Sequence, residues 1–167
     1  MVVEAARLVL FPALMAFAAS SDLVSMTISN RLSILIAAGF AVLAVSTGMP
    51  LADALSHLGA GTLVLVIAFG FFALGWIGGG DAKLAAATAL WFGFGHLFEY
   101  LAYAAILGGA LTLVLLEFRK YCLPAFMTRQ AWIERLHRID SGIPYGIALA
   151  AAALLVYPST AWMAGAG

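Results

Sequence analysis

Between Leu32 and Ala52 the chain carries no charged side chain, and from Ala54 to Gly80 its only ionisable group is His57. Ser141–Gly167 is likewise uncharged. Each run is at least as long as the about 20 residues of helix that cross a hydrocarbon core. Shorter uncharged runs are Leu8–Ser21, Tyr100–Leu116 and Leu84–Phe98, the last with His96 as its only ionisable group. With 65% hydrophobic and 10% charged residues among 167, there is too little polar surface to cover a water-facing globule. These features predict an all-α fold, a polytopic membrane helical bundle of about six transmembrane helices. Helices are expected near residues 5–21, 32–48, 54–76, 82–94, 97–117 and 143–163, with Gly93–His96 as the loop between the fourth and fifth.

Orientation follows from the basic residues. Arg31, Lys83, Arg119, Lys120, Arg129, Arg135 and Arg138 fall after the first, third or fifth helix, leaving Arg7 alone on the other side. Basic loops stay cytoplasmic, so both termini are expected on the non-cytoplasmic side. The first helix is expected to be retained rather than cleaved as a signal peptide, because Glu4 offsets Arg7 and leaves no clearly basic leader. The 117–140 loop contains "RQAWIERLHRI", where Trp132, Ile133, Leu136 and Ile139 form a helical stripe suited to the inner membrane surface. No repeat or linker divides the chain, which reads as one domain over residues 1–167.

Several function classes lack residues. A formal net charge of zero gives no field for nucleic acid, so no nucleic-acid partner is expected. The single cysteine, Cys122, excludes an internal disulfide. No metal site has recognisable ligand spacing, and neither a Gly-x-Ser-x-Gly elbow nor a His-Glu-x-x-His pair occurs. No cofactor is expected.

The acids remain. Asp53 reads as the N-cap of the third helix, and His96 with Glu99 as an outer polar pair. Asp22, in "AASSDLVSMTISNRLSI", and Asp81, after the Gly78-Gly79-Gly80 run, are expected at the same cytoplasmic boundary. Ionisable groups near hydrocarbon are expensive and mark function or pairing. Two carboxylates facing each other where water is scarce cannot easily both be ionised. A shared proton then makes the pair base and acid together. Gly78, Gly79 and Gly80 would let an extended chain approach closely. Lys83 is the candidate for electrostatic support of Asp81, against the ordinary alternative that it snorkels to the interface. On these residues alone, the acids serve equally as a proton or cation path in a small transporter or channel component. They serve also as helix caps in a non-catalytic assembly subunit.

The pattern resembles a known family. "SDLVSMTISNRLSI", "GGGDAKLAAATALWFG" and "LHRIDSGIPYGIALAAAALLVYP" together are similar to the type IV prepilin peptidases, membrane aspartic proteases with a Gly-x-Gly-Asp motif. More narrowly they look like the short branch that serves Flp/Tad-type pili. The resemblance implies Asp22 and Asp81 as catalytic aspartates and Gly78 and Gly80 as the motif glycines. It also implies prepilin and pseudopilin-like precursors as substrates, membrane lipids as surroundings, and a bacterial inner membrane with the active site facing the cytoplasm. One departure is Ser29, where the family usually has proline. Some members carry a Cys-rich N-methyltransferase module; only a short turn joins Asp22 to Arg31 here, so methyl transfer is not expected.

Overall fold

The computed structural model describes residues 2–124, 126–127 and 129–164, and every regular element among them is helical. The order is α1 (Val2–Ser25), α2 (Asn30–Ser46), α3 (Leu51–Ala73), α4 (Gly79–Phe118), α5 (Ala131–His137) and α6 (Tyr145–Val156). A 3-10 turn (Tyr157–Ser159) and α7 (Ala161–Ala164) follow. By length and composition α1, α3 and α4 can cross a membrane, while α2 and Tyr145–Ser159 are shorter apolar helices.

A straight helix of 40 residues would be about 60 Å long, twice a hydrocarbon core. The chain instead breaks at Gly93, whose φ of 56° and ψ of −172° lie in a region open almost only to glycine. The rings of Phe92 and Tyr100 lie 5.1 Å apart, where an unbroken helix would separate them by about 12 Å. Asp81 and Ala85 share a cavity with Leu101, Ala104 and Ala105. The two arms, 79–92 and 94–118, therefore run antiparallel. The loop expected over Gly93–His96 is a one-residue reversal instead, because a single glycine suffices to turn the chain. Carbonyls at the end of the first arm take side-chain donors, as helix ends require. His57 Nδ1 donates to Leu90 O at 2.6 Å, and Trp162 Nε1 to Trp91 O at 2.7 Å. A carbonyl only accepts, so the His57 proton resides on Nδ1. Beside the reversal, His96 and Glu99 pair at 3.4 Å.

The core is aromatic at this end and elsewhere mixes aliphatic side chains such as Ile36 and Leu84 with small ones. Phe11 packs on Trp91 (4.7 Å between centroids) and on Tyr157 (4.6 Å), and Trp91 on Trp162 (5.3 Å). The buried Ala148, Ala150, Ala152 and Ala153 of α6 let it approach α1 and α4 closely, the usual device of helices in lipid. The outer faces are apolar too, with Val42, Val66 and Ile106 all well exposed. A water-soluble fold would not leave so many there.

Three boundaries differ from expectation. α3 begins at Leu51 behind Pro50, so Asp53 lies in its first turn and is not the N-cap; proline, lacking an N–H, suits a helix start. The last long helix ends at Val156, since Pro158 in the 3-10 turn prevents the chain from continuing as an α-helix. α1 runs three residues past Asp22, so that acid sits in a helical turn rather than closing the helix. The expected amphipathic stripe survives only in part. α5 buries Leu136, while Ile139 lies beyond the helix and is exposed.

Candidate active site

Asp22 and Asp81 come from opposite ends of their helices. Asp22 is in the last turn of α1 and Asp81 in the first turn of α4. Both line one cavity of about 370 Å³, with Met26, Thr27, Ile28, Gly78, Gly79, Gly80, Gly142 and Ile143. Asp22 is only 4% exposed, and its Oδ2, like Asp81 Oδ1, is buried without a hydrogen-bond partner. Backbone amides are what the two acids share. Those of Gly146 and Ile147, at the start of α6, face the Asp22 carboxyl. Those of Gly78 and Gly146 face that of Asp81. The Gly146 amide thus faces both acids, and the two carboxyls are close enough to repel one another. The positive end of a helix dipole is a natural seat for carboxylate charge.

Close packing enforces the arrangement. A Cβ on Gly146 would stand 2.8 Å from Asp22 Oδ2 and 2.6 Å from Ile28 Cδ1. On Gly80 it would meet Ile28 Cβ at 3.1 Å and the Ile28 backbone at 3.4 Å. On Gly78 it would stand 2.9 Å from Asp81 Oδ2. Gly78 and Gly80 therefore bring the α3–α4 turn against the acids and the α1–α2 turn. Gly79 instead lies against the Phe72 ring while lining the cavity.

The α1–α2 turn is strained and capped. Met26 has a φ of 50°, a left-handed conformation uncommon outside glycine and asparagine. It follows the end of α1 as a residue that reverses the chain. Ser29 caps α2, its Oγ accepting from Leu32 N at 3.3 Å. Its φ of −70° is one that proline would also adopt. The departure from the family pattern at this position leaves the turn intact for that reason.

Lys83 is not in this cavity. Its ammonium donates to Asn30 Oδ1 at 2.8 Å and lines a separate cavity between α2, α3 and α4. The residues overlooked in the sequence are Gly146 and Ile147, which act through backbone N–H groups, and Ile28, which packs between glycines. The only signal for the first two was Pro144 ahead of an apolar run, a cue for a helix start. On the far side of the acids, Gly142 and Ile143 are held by Arg119. Its guanidinium donates to Leu136 O (2.9 Å), Ser141 O (3.0 Å), Ser141 Oγ (3.2 Å) and Gly142 O (2.8 Å).

A buried carboxyl and a half-buried one in one small cavity, each left with a buried unpartnered oxygen, form a site that can bind and move a proton next to water or an amide. No group of three or more His, Cys, Asp or Glu residues among the described residues converges as metal ligands would. Comparison with characterised proteins and with solved structures returns no match. A family model described as the type IV leader peptidase family matches residues 9–113. That span includes most of α1, all of α2 and α3, both aspartates and the reversal at Gly93, and on it the chain belongs to the type IV leader peptidase family.

Proposed function

We propose that Asp22 and Asp81 are the catalytic pair of a membrane endopeptidase that removes leader peptides from Flp/Tad-like prepilins. The observation that carries this reading is their convergence, from two distant segments, on one cavity beside the start of α6. The ionised carboxyl takes a proton from water as its oxygen attacks the scissile carbonyl carbon. The protonated carboxyl gives its proton to the carbonyl oxygen, producing a neutral gem-diol. Collapse returns that hydroxyl proton to the second carboxylate while the first protonates the departing nitrogen. The C–N bond breaks and leaves a carboxylic acid, an amine and a pair again holding one proton. Gly78, Gly79 and Gly80 provide the low wall along which an extended peptide lies. The site faces the cytoplasm of a bacterial inner membrane, where basic loops collect, and the whole chain acts as one peptidase domain.

A conduction role for the same acids is disfavoured by the packing above them. Phe11, Trp91 and Tyr157 are each no more than 2% exposed and stack directly between the dyad and the outer polar cavity that holds Arg7, Asp53 and His57. The test is co-expression of a prepilin with Asp22→Asn and Asp81→Asn variants, read as a mobility shift of the precursor. Each variant should abolish cleavage while remaining in the membrane fraction. Full cleavage by either one overturns the assignment.

A further inference from the structure

A second cavity, of about 490 Å³, opens between α2, α3 and the first arm of α4. α2 and α3 both pack on α4 but make little contact with each other, which leaves a cleft floored by Ala86, Ala87 and Leu90. Its walls are apolar, from Ile34, Ala37 and Leu65, and Gly61 lets the Leu90 side chain pack against α3. One end differs in chemistry. There Lys83, Asn30 and Ser33 meet. The Lys83 ammonium has Asn30 Oδ1 as its partner, a neutral acceptor that satisfies one of its three protons. That bond occupies the Asn30 carbonyl oxygen and leaves its NH2 group to donate, and the buried Ser33 hydroxyl has no hydrogen-bond partner. The end of the cleft therefore holds a cation and two neutral donors with no carboxylate beside them. Arg31 is exposed on the next position of α2.

We propose that this cleft binds one anionic glycerophospholipid, its headgroup phosphate on Lys83, Asn30 and Ser33 and one acyl chain along Ala37, Leu65 and Leu90. A donor-only cluster at one end of an apolar groove is complementary to an acidic headgroup joined to an alkyl chain. A protein helix is a poor match, because its backbone is already paired and it brings no phosphate. The site does not depend on the catalytic reading, since none of its residues lines the cavity of Asp22 and Asp81.

The test is native mass spectrometry of the purified protein released from nanodiscs made of phosphatidylglycerol or of phosphatidylcholine. Wild type should retain one phosphatidylglycerol, at least fivefold in preference to phosphatidylcholine. Lys83→Gln should lose about fivefold in retention, the factor that one basic side chain near a membrane surface commands. Ala37→Phe, which fills the groove without touching the charge, should expel both lipids. Asp81→Asn should retain phosphatidylglycerol as wild type does, which separates failure of this site from failure of the dyad. Equal retention of the two lipids by wild type, unchanged retention in Lys83→Gln, or displacement of the lipid by an added prepilin would each overturn the proposal.

Discussion

Gly146→Ala is the sharpest probe of the dyad, because it adds one methyl group and removes no chemistry. The new carbon would stand 2.8 Å from Asp22 Oδ2, 3.0 Å from its Cγ and 2.6 Å from Ile28 Cδ1. Ordinary carbon contacts begin near 3.5 Å, so several tenths of an ångström must be found on two sides at once. The Cδ1 end of Ile28 can turn aside, but Asp22 cannot give way without moving its own carboxyl. Either that carboxyl or the start of α6 must then shift, which changes how the two acids stand to the Gly146 N–H. Such overpacking costs about 1–3 kcal/mol, which a folded bundle survives. A misplacement approaching 1 Å at reacting groups costs about 100-fold in rate. The expected outcome is a 10- to 100-fold drop in prepilin cleavage, measured by precursor-to-mature ratio over time, at a membrane abundance close to wild type. Gly142→Ala is the matched control. Gly142 lines the same cavity, yet a Cβ there meets nothing within 4 Å, so its cleavage rate should stay within about twofold of wild type. Wild-type cleavage by Gly146→Ala would refute the claim that the α6 amides hold the acids in place.

Two further expectations concern the frame. Gly93→Ala forces a side chain into a conformation that costs about 1–3 kcal/mol and sets its Cβ 3.1 Å from the His57 ring; thermal unfolding in detergent should fall accordingly, and an unchanged midpoint would mean that the reversal is not built as described. Ser29→Ala removes the α2 cap and should destabilise by about 1 kcal/mol, whereas Ser29→Pro fits the φ of −70° and should leave cleavage near wild type; equal loss of cleavage in both would contradict the backbone argument.

Most of the frame was legible because lipid imposes it. Helix positions followed from uncharged runs, and the first-arm and second-arm ranges of α4 lie within a few residues of the two helices expected there. Asp22 and Asp81 stood out because a carboxylate beside hydrocarbon is costly enough to need a reason. What stayed hidden acts without a distinctive side chain. The Gly146 amide has no residue-type signature, and its meaning appears only once α6 is seen to start between the two acids. The turn at Gly93 was legible as a loop over Gly93–His96, but not the fact that one glycine does the work of that loop. Lys83 was judged by its nearness to Asp81 along the chain. On a helix, residues two apart point to different faces, and the lysine turned to Asn30.

The level of the dyad along the bundle bears on how a substrate must arrive. Tyr145, at the start of α6, packs against Gly108 of the second α4 arm, so the acids lie near that height. The arm continues ten residues further to Phe118, about 15 Å of helix. Leu113, Val114 and Leu116 are exposed along this extension, and lipid covers such side chains at far lower cost than water does. The first arm, α1 and α3 all end close to the acids, so beyond them the extension is met by α5 and the Arg119-tethered segment and keeps an apolar outer face. Beneath the acids, the Arg119-tethered segment carries Gly142 and Ile143 into the cavity. A peptide reaching this site thus has lipid-covered helix on one side and a polar, backbone-lined pocket on the other. A chain that is apolar after the cut and polar before it satisfies both surfaces at once. A uniformly polar peptide would leave the apolar face uncovered, and a uniformly apolar one would bury the two carboxyls without water to attack the bond. On the function proposed above, the same asymmetry places the scissile bond where the substrate passes from polar to apolar.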